Sequence, residues 1–247
     1  MLPVHRAVRL LRAERRGSSW PIVAVVGDGT RWLVKLRGAA QGPPTLVAEV
    51  VVAALAERLG LRVPARALVT IDAAMTTDDR HEELLQLVAA SHGVNLGFGF
   101  LDEAHVVTPD DVAALDDDTA ARIRWLDGLV GNVDRTVANP NVLMHDGRPW
   151  LIDHGASLTF QYALDRLSED SPRRPLVTTR PHLLADRPPA PAALDDELAA
   201  HLPRAAIRAA LAEVPDEFWP AGGDLVRLRE LFVAYLWKRL RAPRPFA

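Results

Sequence analysis

The apolar positions near the front of the chain fall in two short β-type runs, residues 21–26 and 31–36, with Gly27-Asp28-Gly29-Thr30 between them. Two such runs on either side of a glycine-rich turn predict a β-hairpin. Along the second run Trp32, Val34 and Leu36 point to one face, and Leu33 and Lys35 to the other. Residues 38–44 read as a loop. The apolar stretch after it predicts a helix that Thr45 can cap and Gly60 can end. Another strand is expected at 66–71, a helix at 81–91, and a glycine-punctuated connector at 93–101.

Behind residue 101 the pattern turns helical. Thr108-Pro109-Asp110-Asp111 is a helix start, with Thr as cap and Pro in the first turn. A second helix is predicted over 119–130, a hairpin over 141–153, and two closing helical stretches near 194–213 and 223–241. Residues 163–192 are rich in Pro and Arg and predict an irregular segment. No internal repeat is present. The order predicts an α+β fold with two lobes of a protein-kinase-like kind. The strand-rich N-terminal lobe covers 1–101 and the mostly helical C-terminal lobe covers 102–247.

Composition removes several function classes. The 247 residues carry a net charge of −3, which argues against a general nucleic-acid binder. There is no cysteine, so disulfides, thiolate metal sites and Cys nucleophiles are excluded. No apolar run reaches the roughly 20 residues needed to span a bilayer. The Arg-interrupted N-terminus is not a signal peptide. A soluble, cytoplasmic protein is expected. The eight histidines show no His-x-x-x-His spacing, and no Gly-x-Ser-x-Gly elbow occurs. Zinc hydrolase and serine hydrolase chemistry therefore fit poorly. Lone histidines such as His154 and His182 are ordinarily structural or exposed.

One polar stretch stands between strongly apolar segments: Gly131-Asn132-Val133-Asp134-Arg135-Thr136-Val137-Ala138-Asn139-Pro140-Asn141. Asp-Arg or Asn-Pro alone is usually turn chemistry, with side chains bonding their own backbone. The ordered combination is more specific. Asp134 precedes Asn139 by five residues, the spacing of kinase catalytic loops, where the acid orients or deprotonates an acceptor hydroxyl and the amide holds metal. If the hairpin turn is symmetric about Gly147, Asn141 lies across from Asp153. Carboxylate and carboxamide oxygens meeting at one end suit Mg²⁺, which also keeps waters and substrate phosphates. Either Asn139 or Asn141 can be the amide ligand.

A kinase also needs a cation for the nucleotide phosphates and a helical acid to hold it. Only two of the basic residues are lysine, Lys35 and Lys238, and Lys35 falls on a predicted strand. Glu49 is the single polar residue between 46 and 56, and a buried acid is expensive unless paired. Lys35 is its expected partner. Gly17-Ser18-Ser19 can offer backbone N–H groups to phosphate, with residues 38–42 as a rival loop.

Lys35, Glu49, the 131–141 run and Leu151-Ile152-Asp153-His154-Gly155-Ala156 resemble the HipA-like kinase family, bacterial relatives of protein and phosphatidylinositol kinases. The likeness runs over roughly residues 15–185 and takes in Asn95-Leu96-Gly97 as a hinge beside the adenine. It implies a bilobal kinase using ATP and Mg²⁺ to phosphorylate a hydroxyl, on a protein or a small molecule. Asp134 would be the catalytic acid/base, Asn139 and Asp153 the metal ligands, and Lys35 the contact to the α- and β-phosphates. Thr136 and Ala138 depart from the family's His and Lys, and the Asp-Arg opening is closer to lipid kinases. Two other readings remain: a catalytically silent nucleotide-binding regulator, and a kinase-fold enzyme that transfers AMP.

Overall fold

The hairpin expected at 21–36 becomes two staves of a closed barrel in the computed structural model, which describes residues 1–13, 20–39, 42–75, 77 and 81–246. Strands β1 (Val4–Ala13), β2 (Ile22–Val26), β3 (Arg31–Lys35), β4 (Arg66–Ile71) and β5 (Gly93–Gly99) close in the order β1-β2-β3-β5-β4. All pairings are antiparallel except β1 with β4. Trp32, Val34 and Leu36 join Leu10, Ile22, Ala24, Val26, Val69 and Ile71 in its core, as a period of two requires. Helix α2 (Glu82–Ala90) adds Leu84 and Val88 to that core.

Two strands differ from the sequence pattern. β1 lies where apolar and Arg residues mix, and two register shifts, at Ala7/Arg9 and Leu10/Arg12, break its period. β5 occupies the expected connector and is paired on both sides. Gly97 sits there because a Cβ would stand 2.5 Å from Cγ2 of Val69, so the glycine marks close approach, not a loop.

Helix α1 (Pro43–Arg58) starts before Thr45, whose hydroxyl bonds the Gly42 carbonyl inside the first turn. Every residue from Leu46 to Ala56 is buried, Glu49 included. Gly60 ends the helix, with Leu61 N–H on Ala56 O at 3.0 Å and Gly60 N–H on Glu57 O at 3.1 Å.

The chain divides into two compact units. The first comprises residues 1–47, 64–102 and 215–221; the second comprises 48–63, 103–214 and 222–247. The second unit holds β6 (His105–Val106), α3 (Pro109–Ala114), α4 (Asp117–Val130), the hairpin β7 (Val142–His145) and β8 (Arg148–Leu151), α5 (Ala192–His201), α6 (Arg204–Ala212) and α7 (Leu225–Leu240). The predicted 194–213 helix is thus two helices. α4 is capped by Asp116, whose carboxylate accepts from Thr119 N–H at 2.8 Å, so it begins two residues before the expected 119. Among the described residues no helix is long and apolar enough to cross a membrane.

Candidate active site

The hairpin sets the site's register. Asp146 and Gly147 both have positive φ, 50° and 66°, which makes a two-residue turn of the type that matches strand twist. Val142 therefore pairs with Leu151, and Asn141 O accepts from Ile152 N–H at 3.1 Å. A turn symmetric about Gly147 would have placed Asn141 opposite Asp153; the observed turn shifts the pairing by one residue. Asp153 follows β8 with φ 55°, a left-handed conformation, and is half-buried.

The next two residues are held by Glu49. Its carboxylate, 1% exposed, accepts from His154 N–H and Gly155 N–H, both at 2.9 Å. These are charge-assisted bonds, and they account for an acid in an otherwise apolar helix. Lys35, 8% exposed, lies on β3 at the position paired with Leu96.

Upstream, α4 ends at Gly131 in the left-handed conformation, and Asn132 N–H closes on Asp127 O at 2.9 Å. Asp127 is fully buried on the apolar face of α4. Its carboxylate accepts from Arg135 Nε at 2.6 Å, His182 Nε2 at 2.9 Å and Asn132 Nδ2 at 2.9 Å. Burial alone would push the Asp127 carboxyl up. The Arg135 guanidinium and the His182 ring outweigh it and hold the group well below its ordinary value of 3.8. Arg135, itself buried, also donates to Asn141 O. Its own carbonyl accepts from Leu183 N–H at 2.9 Å, and Thr136 bridges to His182.

This frame presents Asp134. Asn132 Oδ1 accepts from Asp134 N–H at 3.0 Å. Oδ2 of Asp134 accepts from Asn139 Nδ2 at 2.7 Å and from Asn141 Nδ2 at 3.3 Å. Thr136 and Asn139 exchange backbone hydrogen bonds of 3.0 and 3.1 Å, so the loop folds back in a turn before Pro140 and is not extended. Asp134, Asn139 and Asn141 therefore converge. Oδ1 of Asp134 and the two carboxamide oxygens accept no hydrogen bond among the described residues.

The oxygens of Asn139, Asn141 and Asp153 have the chemistry for a hard cation that keeps waters and phosphate oxygens. Among the described residues no group of three His, Cys, Asp or Glu could hold a metal ion. Gly17, Ser18 and Ser19 lie outside the described residues, as do two residues of the rival loop, Ala40 and Gln41. Asn95, expected as a hinge, is buried within β5. Its amide donates to Ser91 O at 2.8 Å and Gly93 O at 3.0 Å, and its oxygen accepts from Arg37 N–H at 2.8 Å. That side chain is spent on backbone.

Sequence reasoning missed Asp127, gave Asn132 no role of its own within the 131–141 run, and read His182 only as a lone histidine, ordinarily structural or exposed. Asp127 carried the same signal as Glu49, an acid on an apolar helix face, among Ile123, Leu126 and Val130. His182 carried none.

Solved structures define the class. The chain has a protein-kinase-like fold. It is similar to the Helicobacter pylori proinflammatory kinase CtkA, with a TM-score of 0.57 at 12% identity, over 95% of this chain and 91% of that one. It is also similar to the Golgi casein kinase with Mn/ADP bound, with a TM-score of 0.50 at 13% identity, over 97% of this chain and 71% of that one. No curated protein sequence matches it. The family model for HipA-like kinases matches residues 7–240, and the chain belongs to that family, whose members are phosphotransferases.

Proposed function

We propose that this chain transfers the γ-phosphate of ATP, with Mg²⁺, to a hydroxyl group, a protein Ser or Thr. The reading includes a division into a nucleotide lobe over 1–101 and a catalytic lobe over 102–247, and a cytoplasmic location. The observation that carries it is Asp134. Two asparagine amides fix one oxygen of its carboxylate and leave the other open, while both carboxamide oxygens also stay open. Asp134 Oδ1 would accept the acceptor's proton as its oxygen attacks phosphorus in line. The new O–P bond then forms as the bond to the ADP oxygen breaks.

The remaining roles follow the family likeness. Asn139 or Asn141, with Asp153, would ligate Mg²⁺, which supplies charge neutralisation on the phosphates. Lys35 is assigned to the α- and β-phosphates, Gly17-Ser18-Ser19 to covering them, and Glu49 to supporting the Lys35 ammonium. The Mn/ADP bound to the Golgi casein kinase supports a nucleotide and a divalent cation here. Catalysis of this kind is mostly positioning and charge stabilisation.

Incubation with γ-labelled ATP and Mg²⁺, read by label transfer and intact mass, tests the reading. Wild-type protein should phosphorylate itself or a hydroxyl substrate, and Asp134→Ala and Asp153→Ala should not. Equal labelling by all three proteins would sink the proposal. A mass increment of AMP would replace it with nucleotidyl transfer, and ATP binding with no transfer would replace it with a silent regulator.

A further inference from the structure

The helical unit contains a cavity of about 400 Å³ whose lining includes none of Asp134, Asn139, Asn141 and Asp153. Its walls come from the end of α4, the short 3-10 segment Thr159–Arg166, the loop 171–177 and α7. Three of the lining residues are arginines, Arg166, Arg174 and Arg239, and none is acidic.

Arg239 is 4% exposed and gives its donors only to carbonyls. Nε bonds Leu129 O at 2.9 Å, Nη1 bonds Pro172 O at 3.1 Å and Arg174 O at 2.8 Å, and Nη2 bonds Gly128 O at 2.9 Å. Carbonyl dipoles satisfy its hydrogen bonds without cancelling its charge. A guanidinium stays protonated, so a buried positive charge faces the cavity.

The same bonds fix the backbone of Pro172 and Arg174. Ser171 Oγ adds to that frame by accepting from Ser168 N–H at 2.9 Å. The side chains of Arg166 and Arg174 are exposed and make no hydrogen bond or ion pair with the described residues. The nearby acid Glu169 is taken by Lys238 at 2.6 Å, and Asp165 and Asp170 are exposed and outside the lining. Phe160 stacks on Tyr235 at 3.8 Å and 17°, which gives the cavity a flat aromatic wall. Burial pushes the Tyr235 hydroxyl up, so it remains a donor at neutral pH.

We propose that this cavity is a binding site for a dianionic phosphate group. Two exposed guanidinium forks and a third, buried cation line the one cavity, and they match a group with three acceptor oxygens and a charge near −2. Inorganic phosphate and a phosphorylated polypeptide side chain share this chemistry, and the cavity has room for a carrier beyond one phosphate. The site does not depend on the phosphotransferase reading, since its test measures binding alone.

The test is thermal unfolding of the full chain, followed by tryptophan fluorescence. The ligands are inorganic phosphate, a phosphoserine peptide, its unphosphorylated form, and KCl at matched ionic strength. The wild type should gain about 2–6 °C with the phosphorylated ligands at saturation and nothing with the other two. Arg166→Ala/Arg174→Ala should melt at the wild-type temperature without ligand and lose that gain, while its ATP affinity stays the same. A peptide midpoint concentration at least tenfold below that of phosphate assigns the site to a polypeptide, and the reverse assigns it to the free ion. Equal gains in wild type and double variant, or an equal gain with KCl, would overturn the proposal.

Discussion

The barrel and the loop around Asp134 both fix backbone in place, but with opposite materials. In the barrel, Ile22, Ala24, Val34 and Val69 are fully buried, and position is set by apolar packing and ladder hydrogen bonds. Around the loop, position is set by ions: Asp127, Arg135 and Glu49 are each 1% exposed, and their partners are mostly backbone or other charged groups. Apolar packing tolerates changes that conserve volume. A buried ion tolerates almost none, because removing one partner strands the other. The region that must hold an acid and two amides to within a hydrogen bond is built from the less forgiving material.

The sharpest break in this comparison is Asp134→Ala. It should lower the phosphotransfer rate by about 10²–10⁴-fold, the range for a positioned acid–base group. Its melting temperature should fall by only a few degrees, the effect of losing the two hydrogen bonds from Asn139 and Asn141. Initial rates beside a thermal melt give both numbers.

Arg135→Ala should act first on stability. It leaves Asp127 buried with one cation fewer and should cost about 3–5 kcal/mol, measured by urea unfolding. The acid limb carries the same signature. The folded Asp127 carboxyl lies below its ordinary 3.8, so its contribution is fully present above about pH 4 and is lost as pH falls toward the lowered folded value. Asp127→Asn should therefore flatten the loss of stability between about pH 4 and pH 2. An unchanged slope in urea titrations would remove Asp127 from the account.

Glu49→Ala strands two backbone N–H groups and should cost about 2–3 kcal/mol, whereas Glu49→Gln, which keeps one acceptor, should cost less. Denaturant midpoints of the two variants measure the difference. The smallest effect belongs to the barrel. Gly97→Ala drives a methyl into Val69 and should cost about 1–3 kcal/mol with no change in acid slope.

The two regions were also unequally legible in sequence. Strands β2, β3 and β4 follow from their β-type residues; β2 and β4 are buried on both faces, and only β3 keeps an exposed residue, Arg31. β1 was hidden by its bulges. β5 was hidden by Gly93, Gly97 and Gly99, which read as loop punctuation when one of them actually relieves crowding. At the site, the five-residue interval from Asp134 to Asn139 was readable, and the structure closes it to a 2.7 Å hydrogen bond. Glu49 was readable as a buried acid needing partners, but the backbone of His154 and Gly155 could not have been named as two of them. Asp127 and His182 stand 55 residues apart, and no local pattern announces a contact over that distance.

The Asp146-Gly147 turn fixes where the chain leaves the hairpin. A slip of the β7–β8 pairing by one residue would turn every following side chain to the other face and carry Asp153 with it. A residue added to the turn keeps Asp153 in place only if it is looped out, with Val142 still opposite Leu151.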